Sequence, residues 1–462
     1  MPAHNKKNAS IIISASWIFT SNTKSELLSD HSIVIENDKI IDLVSQEKVF
    51  EKYEADEIYQ LTDHIIIPGL INTHTHVAMS LFKGFADDLP LQDWLNNYIW
   101  PAEKKFINPQ FVKDGSILAL SEMIKSGVTT FNDMYFFPDS TAEVVKELGV
   151  RSNIGLVVLD FPTNYAADPE DYLLKGFEFR DKWRNEDLIT TSIAPHAPYS
   201  VSDEAFTLIN TYSEELNMNV HIHLHETEWE IEDSIEKYGI TPVQRLNNLG
   251  IIGPSLVAAH CVHLNDQEIS ILTKNKVNIV NNPSSNMKLG SGIANTAKML
   301  EKKLNISLGT DSSASNNRLD IMEEMRLAAL LIKGKTKSPE LLPAFQAIKM
   351  ATINGAKALG LEASIGSIEE NKKADLVAID LNSIENQPIY NPLSTLVYSS
   401  SKSDVNFVWI NGEVKLKDKK LVNLDEEKIV QLAKIWQKKI KKISYRRPDY
   451  LEIRKNEPKK YT

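Results

Sequence analysis

The chain has 462 residues, a single cysteine and a formal net charge of −11, with 42% hydrophobic and 24% charged residues. That length and composition suit one large globular domain with a smaller companion and confine disorder to the chain ends. The acidic balance argues against a nucleic acid partner, the lone Cys261 excludes an internal disulfide and points to a reducing, cytoplasmic compartment, and no run approaches the roughly 20 apolar residues of a membrane span.

Lys6 and Lys7 precede an apolar run at 11–19 that has the outline of a signal peptide. Ser14 and Ser16 interrupt it and no A-x-A site follows, so a first β-strand accounts for it better. Residues 11–18 and 33–35 are rich in strand formers, and Asn37-Asp38 gives a turn between 33–36 and 39–44. Then the pattern changes. Eight short apolar runs follow at 70–77, 128–134, 152–158, 189–194, 219–224, 256–262, 277–280 and 306–309, with helical periodicity between several of them, as at 111–125, 141–148 and 203–216. Eight strands alternating with helices over about 250 residues predict a (β/α)₈ barrel. The rival, a doubly wound open sheet, is weakened because no Gly-rich phosphate loop follows an early strand.

Strand character returns at 374–380 (ADLVAID), and the runs 405–410 and 413–416 flank Asn411-Gly412, a hairpin signal. The β segments of the two chain ends are expected to pair. The predicted organisation is a composite β-sandwich from 1–66 and 365–425, a barrel over 67–364, and a charged helix with a tail over 426–462. Lys438, Lys439, Lys441, Lys442, Arg446 and Arg447 form the one basic run, which reads as a solvated helix face or tail.

Eight of the eleven histidines fall in four stretches, each at or beside an expected barrel strand: His74 and His76; His196; His221, His223 and His225; His260 and His263. The C-terminal ends of barrel strands converge on one site, so residues far apart in sequence meet there. His74 and His76 flank Thr75, and residues two apart on a strand face the same side, so both imidazoles can address one divalent ion. Two core histidines would also make a bare H-x-H; the preceding Pro68-Gly69-Leu70-Ile71-Asn72 strengthens the metal reading. His221, His223 and His225 are expected to face one way, and the pattern does not choose the ligand among them. Glu226 and Glu230 follow at helical spacing, where an acid near a metal is placed for proton transfer; a solvated loop acid is the plain alternative. Asp311 ends the apolar run at 306–310, where an acid is costly to bury unless paired or bound to a metal. His260 follows four apolar residues, as a satisfied core histidine would. Three histidines and one aspartate suit Zn²⁺, with Fe²⁺ or Mn²⁺ as alternatives. Cys261 points away from His260 and reads as packing.

The motifs PGLINTHTH (68–76), APHAPY (194–199), HLHE (223–226), AAHCVHL (258–264), NPSSNMKL (282–289) and LGTDSSASNN (308–317), with ADLVAID after them, resemble the amidohydrolase superfamily. Within it the chain looks like the 5′-methylthioadenosine/S-adenosylhomocysteine deaminases, which are grouped with the s-triazine hydrolases. The resemblance covers nearly the whole chain. It implies His74, His76, His223 and Asp311 on one metal ion, without a carboxylated lysine, and His260 orienting the attacking hydroxide. It implies that Asp311 takes a proton from water activated by the ion, that attack falls on C6 of an adenine ring, and that Glu226 protonates N1 before ammonia leaves. His196 would contact the nucleoside, Trp94 would cover it, and Glu103 would bind the ribose hydroxyls. Arg151 would help to hold a charged substrate tail, but residues 152–179 contain no arginine, which favours methylthioadenosine or related 5′-modified adenosines over S-adenosylhomocysteine. A homo-oligomer, dimer or larger, is implied by analogy. The alternatives are an s-triazine or guanine/cytosine-type amidohydrolase using the same site, and a barrel that binds without catalysing.

Overall fold

In the computed structural model, which describes residues 6–442, sixteen strands form two sheets. The chain opens with β1 (Lys7–Phe19), β2 (Leu27–Glu36), β3 (Lys39–Ser45) and β4 (Tyr53–Pro68). The barrel strands are β5 (Leu70–Thr75), β6 (Val128–Met134), β7 (Arg151–Val158), β8 (Ile189–Pro195), β9 (Asn219–Leu224), β10 (Leu256–His260), β11 (Asn278–Asn281) and β12 (Asn305–Leu308). Four strands close the chain: β13 (Leu376–Asp380), β14 (Val405–Ile410), β15 (Glu413–Lys417) and β16 (Lys420–Leu421).

The strands of the two chain ends join in one sheet, in the order β16-β15-β14-β13-β4-β1-β2-β3. β1 runs parallel to β4 with Ile12 opposite Ile58, and β4 runs antiparallel to β13 with Ile66 opposite Ala378. Its apolar residues, among them Ile13, Ile33, Ile66, Phe407 and Trp409, bury a core separate from that of the barrel. The Asn411-Gly412 turn is where the hairpin signal placed it. A side chain at Gly412 would run into the Asn37 carbonyl, so the two hairpin tips fit only with glycine there. The sequence reading missed β4 and the helix Gln46–Lys52 before it, because Glu54, Asp56 and Glu57 mask the strand pattern until the run Ile65–Ile66–Ile67.

The eight central strands lie in sequence order from β5 to β12, all parallel, and match the eight predicted runs with ends shifted by a few residues. Side chains as well as backbone close the ring between β5 and β12. Thr73 Oγ1 donates to Leu308 O at 2.7 Å, Asn72 Nδ2 donates to Thr310 Oγ1 at 2.7 Å, and Asp311 N donates to His74 O at 2.9 Å. A β-carbon on Gly309 would lie 2.8 Å from His74 Cβ, so glycine lets the seam close. This seam places the loop bearing Asp311 against the strand bearing His74 and His76. The helices at Pro109–Lys125, Pro138–Leu148 and Asp203–Leu216 fall on the predicted segments, and Asn108 and Ser202 cap the first and third.

The stretch after β5 covers the C-terminal mouth of the barrel: a 3₁₀ turn at Val77–Phe82, a short helix at Leu91–Trp94, a π turn at Leu95–Ile99 and a helix at Trp100–Phe106. The C-terminal helix Glu426–Ile440 leans on this cover. Its Lys438 and Lys439 face solvent as expected, but Trp436 is buried and donates from Nε1 to Asp114 Oδ2 at 2.7 Å. Arg446 and Arg447 lie outside the described residues. No helix among the described residues is long and apolar enough to cross a membrane.

Candidate metal centre and active site

Four imidazoles converge at the C-terminal mouth, and each is fixed from behind at Nδ1. His76 donates to Met134 O at 2.6 Å and His223 to His196 O at 2.6 Å, while His74 Nδ1 lies 2.9 Å from His221 Nε2 and His260 Nδ1 lies 2.8 Å from Asn286 Oδ1. A proton held on Nδ1 by an acceptor leaves the Nε2 lone pair free, and here the Nε2 atoms face one another. His76 Nε2 is 3.2 Å from His223 Nε2 and 3.2 Å from Asp311 Oδ1, and His74 Nε2 is 3.4 Å from that same oxygen. Ligand atoms of His74, His223, His260 and Asp311 all lie within 4.8 Å of one another. His260 thus stands as close to the centre as the residues expected to bind the ion.

The chemistry of these groups fits a divalent ion. His74 Nε2 and His260 Nε2 are buried and have no hydrogen-bond partner among the described residues, which is costly unless something else meets their lone pairs. Burial lowers the His74 pKa to about 4 and holds His223 well below its usual value, so both rings are neutral donors. Burial by itself would raise the Asp311 carboxyl, but its contacts with His74 and His76 prevail and hold it well below the usual carboxylate range. Its Oδ2 accepts from Ser285 Oγ at 2.6 Å and Ser315 Oγ at 2.8 Å, and its Oδ1 accepts from Ser312 N at 2.7 Å. Burial by itself would lower the His76 pKa, but its contact with Asp311 prevails and raises it. Imidazole nitrogens with a carboxylate oxygen are ligand types that zinc takes.

A cavity of about 480 Å³ rises from this centre under the covering segment. His76, His223 and Asp311 form part of its floor, and Glu226, His196, Trp94 and Glu103 reach its walls. Glu226 Oε2 lies 3.8 Å from His260 Nε2, and burial raises its carboxyl pKa. Glu103 accepts from the Tyr135 hydroxyl at 2.7 Å; burial pushes its carboxyl up to about 7, against the pull of that hydrogen bond. The π turn Leu95–Ile99 lies in the chain between Trp94 and Glu103, which both line the cavity, and such turns are frequent at functional sites.

Two expectations need correction. Arg151 does not reach the cavity. It is the first residue of β7, at the N-terminal end of the barrel, where its Nε donates to Asp375 Oδ2 at 2.9 Å and where Asn411 also accepts from it. There it ties the barrel to the turn between β14 and β15. Replacing it with Met should leave kcat and KM unchanged and lower unfolding stability by about 3–5 kcal/mol in a denaturant titration, because Asp375 is left buried without its cation. His225 likewise does not share a face with His221 and His223. β9 ends at Leu224, residue 225 is left-handed (φ 52°), and its ring turns into the wall, where Nε2 accepts from Val243 N at 3.3 Å.

Sequence reasoning also missed Asn286, Tyr135 and Ser285. Asn286 and Ser285 lie in NPSSNMKL, and Tyr135 directly follows β6, a position that marks barrel site residues. His263 is outside the cluster, with Nε2 2.6 Å from Ser291 O. Cys261 is buried, as its packing role required.

A model of the amidohydrolase family matches residues 65–415. The chain is 42% identical over 436 residues to a 5-methylthioadenosine/S-adenosylhomocysteine deaminase of Saccharophagus degradans, spanning 94% of this chain and 98% of that protein. It is 44% identical over 429 residues to a 5′-deoxyadenosine deaminase of Methanosarcina barkeri, spanning 92% and 97%. Among solved structures, that of an adenosine deaminase from Xanthomonas campestris with bound zinc matches with a TM-score of 0.93 at 38% identity, over 95% of this chain and 100% of that one. Agreement of fold, ligand-type cluster and sequence over nearly the full length places the chain in the amidohydrolase family.

Proposed function

We propose that the protein is a metal-dependent aminohydrolase that converts a 5′-modified adenosine to the inosine analogue and ammonia. The observation that carries this reading is the convergence of backed imidazoles and Asp311 on the floor of a cavity that Glu226 and Glu103 also enter. His74, His76, His223 and Asp311 would hold one ion, Zn²⁺ by the chemistry of the set, with His260 facing the same centre. When bound, the ion supplies Lewis acidity and brings the pKa of a water toward neutrality.

The residues divide the remaining work. Asp311 accepts a proton from the attacking water and later delivers it to the departing amine. Glu226, whose pKa burial raises, gives its proton to ring N1 as oxygen adds to C6. The C6–N bond then breaks, ammonia leaves, and the proton still on the C6 hydroxyl passes to Glu226 as the carbonyl forms, which restores both carboxyl groups to their starting states. His196 lies along the wall against the nucleoside, Trp94 covers it, and Glu103, steadied by Tyr135, accepts from the ribose hydroxyls.

The cavity lining also includes Phe136, Leu159, Phe161 and Tyr165, and among the described residues that line it Lys104 is the one lysine and none is an arginine. An uncharged 5′ substituent suits such a lining better than an amino-acid tail, which favours methylthio- or deoxyadenosine.

The test is a rate comparison of methylthioadenosine, 5′-deoxyadenosine, adenosine, guanine and a chlorotriazine by the zinc-loaded enzyme. The nucleosides should lead the free base and the triazine in kcat/KM by on the order of 10²-fold or more, since a site with a partner for ribose hydroxyls is left with an unpaired group otherwise. Faster turnover of guanine or the triazine would overturn the reading. Chelation should abolish turnover, and one equivalent of Zn²⁺ should restore it. The KM for nucleosides should fall as pH rises through about 7, where Glu103 ionises and becomes a full acceptor, and Glu103→Gln should erase that dependence.

A further inference from the structure

Parity along β9 poses a question that the fold answers. His221 and His223 face the barrel interior, so continued alternation would send residue 225 inward and residue 226 outward. The opposite happens: His225 goes into the wall and Glu226 into the cavity. The switch is the left-handed residue 225, a conformation that non-glycine residues seldom adopt.

The carbonyl of His225 is held from the end of β10, accepting from Val262 N at 2.9 Å and His263 N at 3.1 Å. The two amides of the turn are held by one side chain. Glu230 Oε1 accepts from His225 N at 2.9 Å and Oε2 accepts from Glu226 N at 2.9 Å. Glu230 is the third residue of the helix Glu228–Tyr238, whose cap is Thr227. A glutamate at that position ordinarily reaches back to the cap residue's own amide. This one reaches further, to the two residues before the cap, and is itself buried.

We infer that Glu230 is a positioning residue: its carboxyl group, through both oxygens, clips the left-handed turn and so turns Glu226 toward the substrate ring. The inference rests on the proposed role of Glu226 as proton donor. Glu230 touches neither the cavity nor the ligand cluster, so it acts only through the residue it aims.

Glu230→Gln keeps the volume but sets an amide N–H₂ against one of the two backbone amides. In the zinc-loaded full-length enzyme it should lower kcat by about 10²-fold, the scale of a misplacement of about 1 Å, with KM within a few-fold and zinc content retained. In a Glu226→Gln background the same change should cost almost nothing further, because the group being aimed is already lost. Loss of equal size in both backgrounds would overturn the inference, as would wild-type kcat in Glu230→Gln. A crystal structure of the variant tests the clip without reference to activity. Residue 225 should leave the left-handed region and Glu226 should move; an unchanged turn would overturn the inference even if the nucleoside reading stood. Failure of the wild-type enzyme to deaminate any nucleoside would strike the functional reading alone.

Discussion

Asp311→Asn should reduce kcat on the order of 10³-fold or more at saturating Zn²⁺ while leaving the melting temperature within a few degrees of the parent. The expected size follows from the 10²–10⁴-fold typical of a general acid or base, here combined with loss of a charged ligand. Asparagine fills the same space, and one of its atoms remains an acceptor for Ser285 or Ser315, so the seam between β5 and β12 survives. Its neutral amide takes no proton from water. Zinc content measured on the purified variant separates the two losses. A variant that retains zinc and is still inactive isolates the proton transfer. Normal turnover would remove Asp311 from the mechanism altogether.

Glu226→Gln should lower kcat by about 10²–10⁴-fold with KM little changed, because protonation of the ring is an interaction gained as the transition state forms. The carboxyl stands 3.8 Å from His260 Nε2 and 3.5 Å from Ser291 Oγ, and neither contact holds the fold together. Steady-state kinetics with methylthioadenosine, read beside a thermal melt, checks the prediction. A rise in KM at constant kcat would instead make Glu226 a substrate-binding group without a part in the chemistry.

The fold and part of the centre were legible in the chain because both rest on local rules, whereas the choice of His223 and the parts given to His260, Trp94 and Glu103 came only from the family resemblance. Apolar runs of strand length alternating with helical periodicity predict a barrel, and strand alternation puts His74 and His76 on one face. An aspartate at the end of an apolar run announces a group that must be paired, and Asp311 is so paired, to His76 at 3.2 Å. What local rules do not carry is the handedness of a single turn or the end of the barrel at which a charge sits. His225 breaks the alternation because Glu230, five residues on, holds its amide in a left-handed turn. Asn286 was invisible as the support of His260 because the two meet only when β10 and β11 lie side by side.

Sequence by itself thus determined which residue types stand at the ends of which strands, since burial and strand parity act within a few residues. Tertiary structure decided which of them meet and what each one faces, since hydrogen bonds and ion pairs such as Arg151 with Asp375 join positions that only the closed barrel and the sheet of both chain ends bring within reach.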